Sequence, residues 1–151
     1  MPIVVPVPDF DKLSALMVLW AKILEVYRAG YLTDQQANQV LSLIEEVGQN
    51  ATAVTLPIAG ATGGTLTFTM PSAVTTIFTQ TAGAITVNEG SGAVALTNSR
   101  VLSSGFSANN LTAGVTSGTV RVQFTLSYVN NSGRSEYNYT KNYVTSVTIR
   151  R

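Results

Sequence analysis

Residues 11–29 constrain the fold most, because they form a predicted helix that is apolar on too many sides to lie against one neighbour. An ordinary surface helix carries an apolar stripe a little over ~100° wide. Here the apolar surface is interrupted only by a thin polar seam, formed by Ser14, Lys22, Glu25 and Arg28. The helix must therefore be surrounded, either by the rest of its own chain or by other chains.

A second helix is predicted over residues 34–47. Gly30 is expected to end the first helix, and Thr33 with Gln36 forms a capping box that starts the next. A connection this short predicts an antiparallel helical hairpin over residues 11–48. The second helix is amphipathic, so it can cover one side of the first and no more.

The composition changes abruptly at residue 49, after which Thr, Ser, Gly, Val and Asn dominate. Alternating runs between turn clusters predict strands over residues 53–58, 65–70, 75–81, 84–88, 93–97, 119–129 and 136–150. Residues 98–118 give a weaker pattern, and Val144 is out of phase, which predicts a bulge. The fold class is therefore α+β, with an antiparallel β-sandwich of about seven or eight strands over residues 52–151.

The first ten residues form an extended, proline-rich arm, since Pro2, Pro6 and Pro8 exclude a helix. Its apolar residues are Ile3, Val4, Val5 and Val7. These side chains suit an arm that lies along a partner's surface. A frayed terminus or a strand on the chain's own domain fits the same residues.

Composition excludes several classes of function. Charged residues make up 11% of the chain, against an average near ~25%, and the net charge of +1 gives no reason to expect nucleic acid or an anionic membrane as partner. The chain has no cysteine and no histidine, so it has no disulfide and no thiol or imidazole metal ligand. The apolar run 13–21 is too short to span a membrane, and the N-terminus lacks the basic start of a signal peptide, so we expect synthesis in the cytoplasm without export.

No constellation of residues predicts catalysis. A general base must lie beside a nucleophile, and the only carboxylates after residue 50 are Glu89 and Glu136, both in or beside turns. We therefore predict that the protein is not an enzyme and has no catalytic, cofactor-binding or metal-binding residues. Tyr137, Tyr139 and Tyr143 with Lys141 could form a sugar-binding strip, but their alternation is better explained as one face of a sheet.

The order of an apolar arm (1–10), a helical hairpin (11–48) and a β-domain (52–151) resembles small virion proteins of tailed bacteriophages, namely capsid decoration (cement) proteins and head fibres. The resemblance implies a homo-oligomer, a trimer more often than a dimer, that attaches to the major capsid protein or another virion protein. It also implies a virion location, with the β-domain outward, where a host-surface glycan is a further expected partner.

Two other classes of protein stay open. A pilus or extracellular filament subunit also has an apolar N-terminal helix and a β head, but the proline-rich arm and the second helix depart from that pattern. A carbohydrate-binding or adhesin module would leave the helices unexplained.

The sheet faces predicted at 120–128 and 137–149 can cover each other, so the first helix is expected to pack against copies of itself. The predicted assembly interface consists of Leu13, Leu16, Leu19, Trp20, Ile23, Leu24 and Tyr27.

Overall fold

The computed structural model describes residues 10–113 and 118–149. In this part of the chain, one α-helix precedes nine strands. The elements are α1 (Phe10–Asn50), β1 (Ala53–Leu56), β2 (Thr62–Gly63), β3 (Thr65–Thr69), β4 (Thr75–Thr81), β5 (Ala84–Asn88), β6 (Ala93–Ala95), β7 (Val101–Asn110), β8 (Thr119–Tyr128) and β9 (Thr140–Thr148), with a 3-10 helix (Ser135–Tyr137) before β9.

The predicted helical hairpin is wrong, because α1 runs without a break through Gly30 and Thr33. Gly30 does not adopt the left-handed conformation that would end a helix. The Thr33 hydroxyl donates to the Ala29 carbonyl (2.6 Å) inside the helix, and Gln36 Oε1 accepts from the backbone N–H of Asn98 (2.9 Å) instead of closing a capping box. A helical glycine costs only about 1 kcal/mol, which packing can offset.

Two antiparallel sheets follow the helix, which confirms the α+β class and a sandwich-like arrangement. Sheet A has the strand order β1-β3-β4-β5-β6, and sheet B has the order β2-β7-β8-β9. Strands β4 and β5 have the predicted bounds, whereas β9 begins four residues later than predicted because a 3-10 helix occupies residues 135–137.

Strand β7 is the element that the sequence pattern did not resolve. It pairs with both β2 and β8, and its register with β8 shifts between Ser104 and Ser107 at Gly105, whose φ is 63°. The buried positions change parity there, from Val101 and Ser103 to Phe106 and Ala108. This bulge breaks the alternation that would have identified a ten-residue strand.

The bulge predicted near Val144 is absent. Strand β9 keeps an unbroken register with β8 from Thr140 to Thr148. Val144 lies on the outer face of sheet B, 45% exposed, so it is out of phase only because an apolar residue occupies a solvent-facing position.

The inner face of sheet B packs against two other parts of the chain. Strands β3, β4 and β5 of sheet A contact β7, whereas α1 contacts β8 and β9. Ala37, Val40 and Ile44 of the helix are fully buried in the same hydrophobic core as Phe68 and Phe124. The second half of α1 is therefore a layer of the β-domain, and the core crosses the domain boundary predicted near residue 50.

Gly48 lets the helix approach the sheet closely. A Cβ at this position would overlap Cγ1 of Val147 and lie 3.4 Å from Cζ of Phe68. At Gly30 a Cβ would lie 3.4 Å from the Tyr139 ring, which is an ordinary contact. The two helical glycines thus have different roles.

We expect Gly48→Ala to lower the free energy of unfolding by about 1–3 kcal/mol, because the added methyl group overpacks the helix–sheet contact. Gly30→Ala should raise it by about 0.5–1 kcal/mol, since alanine is the better helix former. Urea denaturation followed by circular dichroism measures both. A loss of stability in Gly30→Ala would contradict the continuous helix.

Candidate functional site

The N-terminal half of α1 lies outside the core. We call residues 11–28 the bare segment: they span about 27 Å of helix, and all of their side chains are exposed except Lys22 and Glu25, which are half-buried. From residue 11 onward, the first buried residue of α1 is Ala29.

All seven residues of the predicted assembly interface lie on the bare segment. Their exposed fractions range from 47% for Leu13 to 73% for Tyr27, with Trp20 at 62%. Leu16, Leu19, Ile23 and Leu24 fall between these limits. Among the described residues, each of these side chains is therefore about half exposed or more.

Part of the polar seam of the bare segment faces the β-domain. The Tyr128 hydroxyl donates to Glu25 Oε1 at 3.1 Å, and Lys22 and Glu25 are the half-buried residues of the segment. Desolvation and the hydrogen bond to Glu25 raise the pKa of the Tyr128 hydroxyl. Arg28 lies 4.0 Å from Glu25 in an exposed ion pair, which contributes little to stability.

A second set of polar contacts holds the other half of the helix. The Tyr143 hydroxyl donates to Asp34 Oδ1 at 2.6 Å, and Lys141 Nζ lies 3.4 Å from the same oxygen. Farther along the helix, the Thr145 hydroxyl donates to Glu45 at 3.0 Å. These partners lie about a hundred residues apart in the chain, so no local sequence signal could have paired them.

The tyrosines considered as a sugar-binding strip do not form an exposed surface. Tyr143 is 8% exposed, and its ring stacks on Phe124 with centroids 5.6 Å apart. Tyr139 lies half-buried near Gly30, and Tyr137 belongs to the 3-10 helix. The interpretation as a sheet face therefore fits Tyr143, which is in β9.

Shallow depressions lie on the surface of the described residues, and some of them involve the β-domain. One of about 430 Å³ lies between the helix and the end of β8, beside Ala21, Glu25 and Tyr137. Another of about 190 Å³ lies on the outer face of sheet B and is lined by Thr62, Ser107, Asn109, Arg121 and Gln123. The second is polar, with Arg121 as its charged residue, and suits hydrogen bonding to a polar ligand more than acid–base chemistry.

Glu89 is exposed in the turn after β5, where the Asn88 side chain accepts hydrogen bonds from the backbone N–H groups of Gly90 and Gly92. The side chain of Glu136 and the arm residues Ile3, Val4, Val5 and Val7 lie outside the described residues. Within the described residues, no group of three or more acidic side chains is placed to hold a metal ion.

The helix found in the described part of the chain does not have the length of apolar sequence needed to cross a membrane.

Comparisons with known proteins give no relative. No protein-family model, curated protein or solved structure matches the chain.

The pKa of Tyr143 predicts a dependence of stability on pH. Burial, followed by the hydrogen bond to Asp34, raises this pKa far above the ~10 of a free tyrosine. The folded state thus favours the protonated hydroxyl, so its contribution is complete below about pH 10 and is lost as the pH rises further. Urea denaturation between pH 7 and 11 should show the free energy of unfolding falling above about pH 10, and falling less in Tyr143→Phe.

Tyr31→Phe is the matched control, because Tyr31 lies exposed on α1, the helix that carries Asp34. At pH 7, Tyr143→Phe should cost about 1–3 kcal/mol through the lost hydrogen bond to a carboxylate. Equal slopes above pH 10 in wild type and Tyr143→Phe would contradict the assignment.

Proposed function

We propose that the protein is a non-enzymatic structural virion protein, a capsid decoration or head-fibre subunit that oligomerises and attaches to a capsid lattice. The observation that carries this proposal is the bare segment, whose large apolar side chains are exposed in the part of the chain that the structure describes. Most of the stability of a helix in a protein comes from packing of its apolar face. The segment therefore needs a protein surface around it.

The β-domain supports the same role. The second half of α1 is buried in its core and hydrogen-bonded to β9 through Asp34 and Glu45, so the domain is joined to the bare segment by continuous helix. A domain held in this way is suited to projecting from a shell. The polar depression around Arg121 is where we place a host-surface glycan.

A pilus or extracellular filament subunit is the second candidate, and the continuous helix favours it. The second helix that separated this chain from the pilin pattern does not exist as a separate element. The virion proposal stays ahead of this second candidate because the helix carries three charged residues, Lys22, Glu25 and Arg28. A helix enclosed on all sides in a filament core would have to bury these charges, at a high cost in free energy.

Immuno-electron microscopy tests the proposed function. Antibodies against the β-domain, applied to lysates of cells that produce the protein, should label the heads of virus particles, and the protein should sediment with those particles. Labelling of filaments would favour the second candidate. Protein found only in the soluble fraction, with no labelled assembly, would overturn both.

Two truncations separate attachment from folding. Removal of residues 1–28 should leave a folded β-domain that no longer sediments with particles, because the core begins at Ala29. Removal of residues 1–48 should prevent folding, since it takes Val40, Ile44 and Val47 out of the core. Circular dichroism reports folding, and particle sedimentation reports attachment. An attached Δ1–28 variant would show that the bare segment is not the attachment element.

A further inference from the structure

We propose that the bare segment forms a parallel, in-register, three-stranded coiled coil with two other copies of this chain. This inference rests on the proposed function and names the partner of the assembly segment. The seam residues are Leu13, Leu16, Trp20, Ile23 and Tyr27, and each is about half exposed or more in the single chain.

The seam residues follow the spacing of a coiled coil. Their separations are three, four, three and four residues, which is the heptad pattern of a and d positions. Leu13, Trp20 and Tyr27 fall at a, and Leu16 and Ile23 fall at d. This sequential pattern keeps one stripe of the helix facing its partners over two heptads.

The residues beside the seam favour three strands over two. The flanking e and g positions hold Met17, Leu19, Leu24 and Val26, all exposed and apolar, where a two-stranded coil usually carries charges. A seam this wide is better covered by two neighbours than by one. The combination of Leu13 at a with Ile23 at d also favours more than two strands.

The seam lies to one side of the line of the helix that enters the chain's own core. At 100° per residue, it is about 110° around the helix from the line of Ala37, Val40 and Ile44. Glu25 is not on the seam and instead accepts a hydrogen bond from Tyr128. Within the bare segment the seam side chains are exposed, so two further helices can contact them there.

The pattern ends where the helix joins its own domain. The next a position after Tyr27 is Asp34, which binds Tyr143 and Lys141, and the next d position after Gly30 is Ala37, which is buried in the core. Beyond Gly30 the residues that would continue the seam are thus already engaged within the chain. The coil is confined to the bare segment.

The exposed area is sufficient for a stable interface. Nine apolar side chains at the a, d, e and g positions between Leu13 and Tyr27 are 44–73% exposed, and together they present on the order of 1,000 Å² of apolar surface. The largest apolar patch on a typical monomer is only about 300–600 Å², and a standard interface buries about 800 Å² per partner. The patch therefore exceeds what a stable association needs.

Cysteine cross-linking of the full chain tests orientation and register, because the natural chain has no cysteine. Leu16→Cys and Ile23→Cys should each give covalent dimers on mild oxidation, since a parallel in-register coil places identical d residues side by side. Ser14 belongs to the polar side of the bare segment with Lys22 and Glu25, and not to the coiled-coil seam. Ser14→Cys is therefore the matched control and should stay monomeric on a denaturing gel. Equal cross-linking of Ser14→Cys and Leu16→Cys would overturn the proposed seam.

Size-exclusion chromatography with light scattering tests the number of strands. Wild type should have about three times the 16.0 kDa chain mass, and the double variant Leu16→Lys/Ile23→Lys should fall to one chain mass while keeping the circular dichroism signal of the folded β-domain. Ala15→Lys/Val18→Lys adds the same charge to exposed positions away from the seam and should keep the trimer. A monomeric or dimeric wild type would overturn the proposal.

Failure of this inference can be told apart from failure of the proposed function. A monomeric chain that sediments with virus particles would overturn the coiled coil and leave the virion role intact. A trimeric chain absent from particles would leave the coiled coil intact and overturn the virion role.

Discussion

The contact between the second half of α1 and strands β8 and β9 is the interaction on which the rest of the structure depends. Sheet A covers β7, so the helix must supply the apolar layer over the remainder of sheet B. Val40, Ile44 and Val47 supply that layer, and Gly48 allows it to lie close to Val147. Without this contact, the inner face of β8 and β9 would be open to water, at a cost set by the apolar area exposed.

One helix therefore carries two apolar surfaces with different partners. In its second half the apolar line is narrow and enters the chain's own core, while Asp34 and Glu45 bind β9 at its margin. In its first half the apolar surface is wider and faces outward. The excess of apolar residues in this helix follows from this double role.

The sequence predicted regular elements well and irregular ones poorly. Strands β4, β5 and β8 follow simple alternation, and their predicted bounds agree with the structure to within a residue. The helix end predicted at Gly30 was wrong because the sequence does not distinguish a glycine inside a helix from a glycine that follows one. The neighbouring Tyr139 ring becomes apparent only in the tertiary structure. Strand β7 was missed because its bulge at Gly105 reverses the alternation. For the candidate site, the excess of apolar residues over residues 11–28 could be recognised from the local sequence. The contact of Asp34 with Tyr143 could not, because it depends on the tertiary fold.

The continuity of α1 through Gly30 has a mechanical consequence. A loop between the bare segment and the β-domain would allow the domain to swivel, whereas an unbroken helix resists bending and twisting over its whole length of about 60 Å. A load applied to the bare segment would reach the core through the backbone hydrogen bonds of the helix and would be resisted in shear by the contact with β8 and β9. The domain would then stand at a set distance and angle from whatever holds the segment, so copies anchored in a regular array would present their outer faces in a regular array as well.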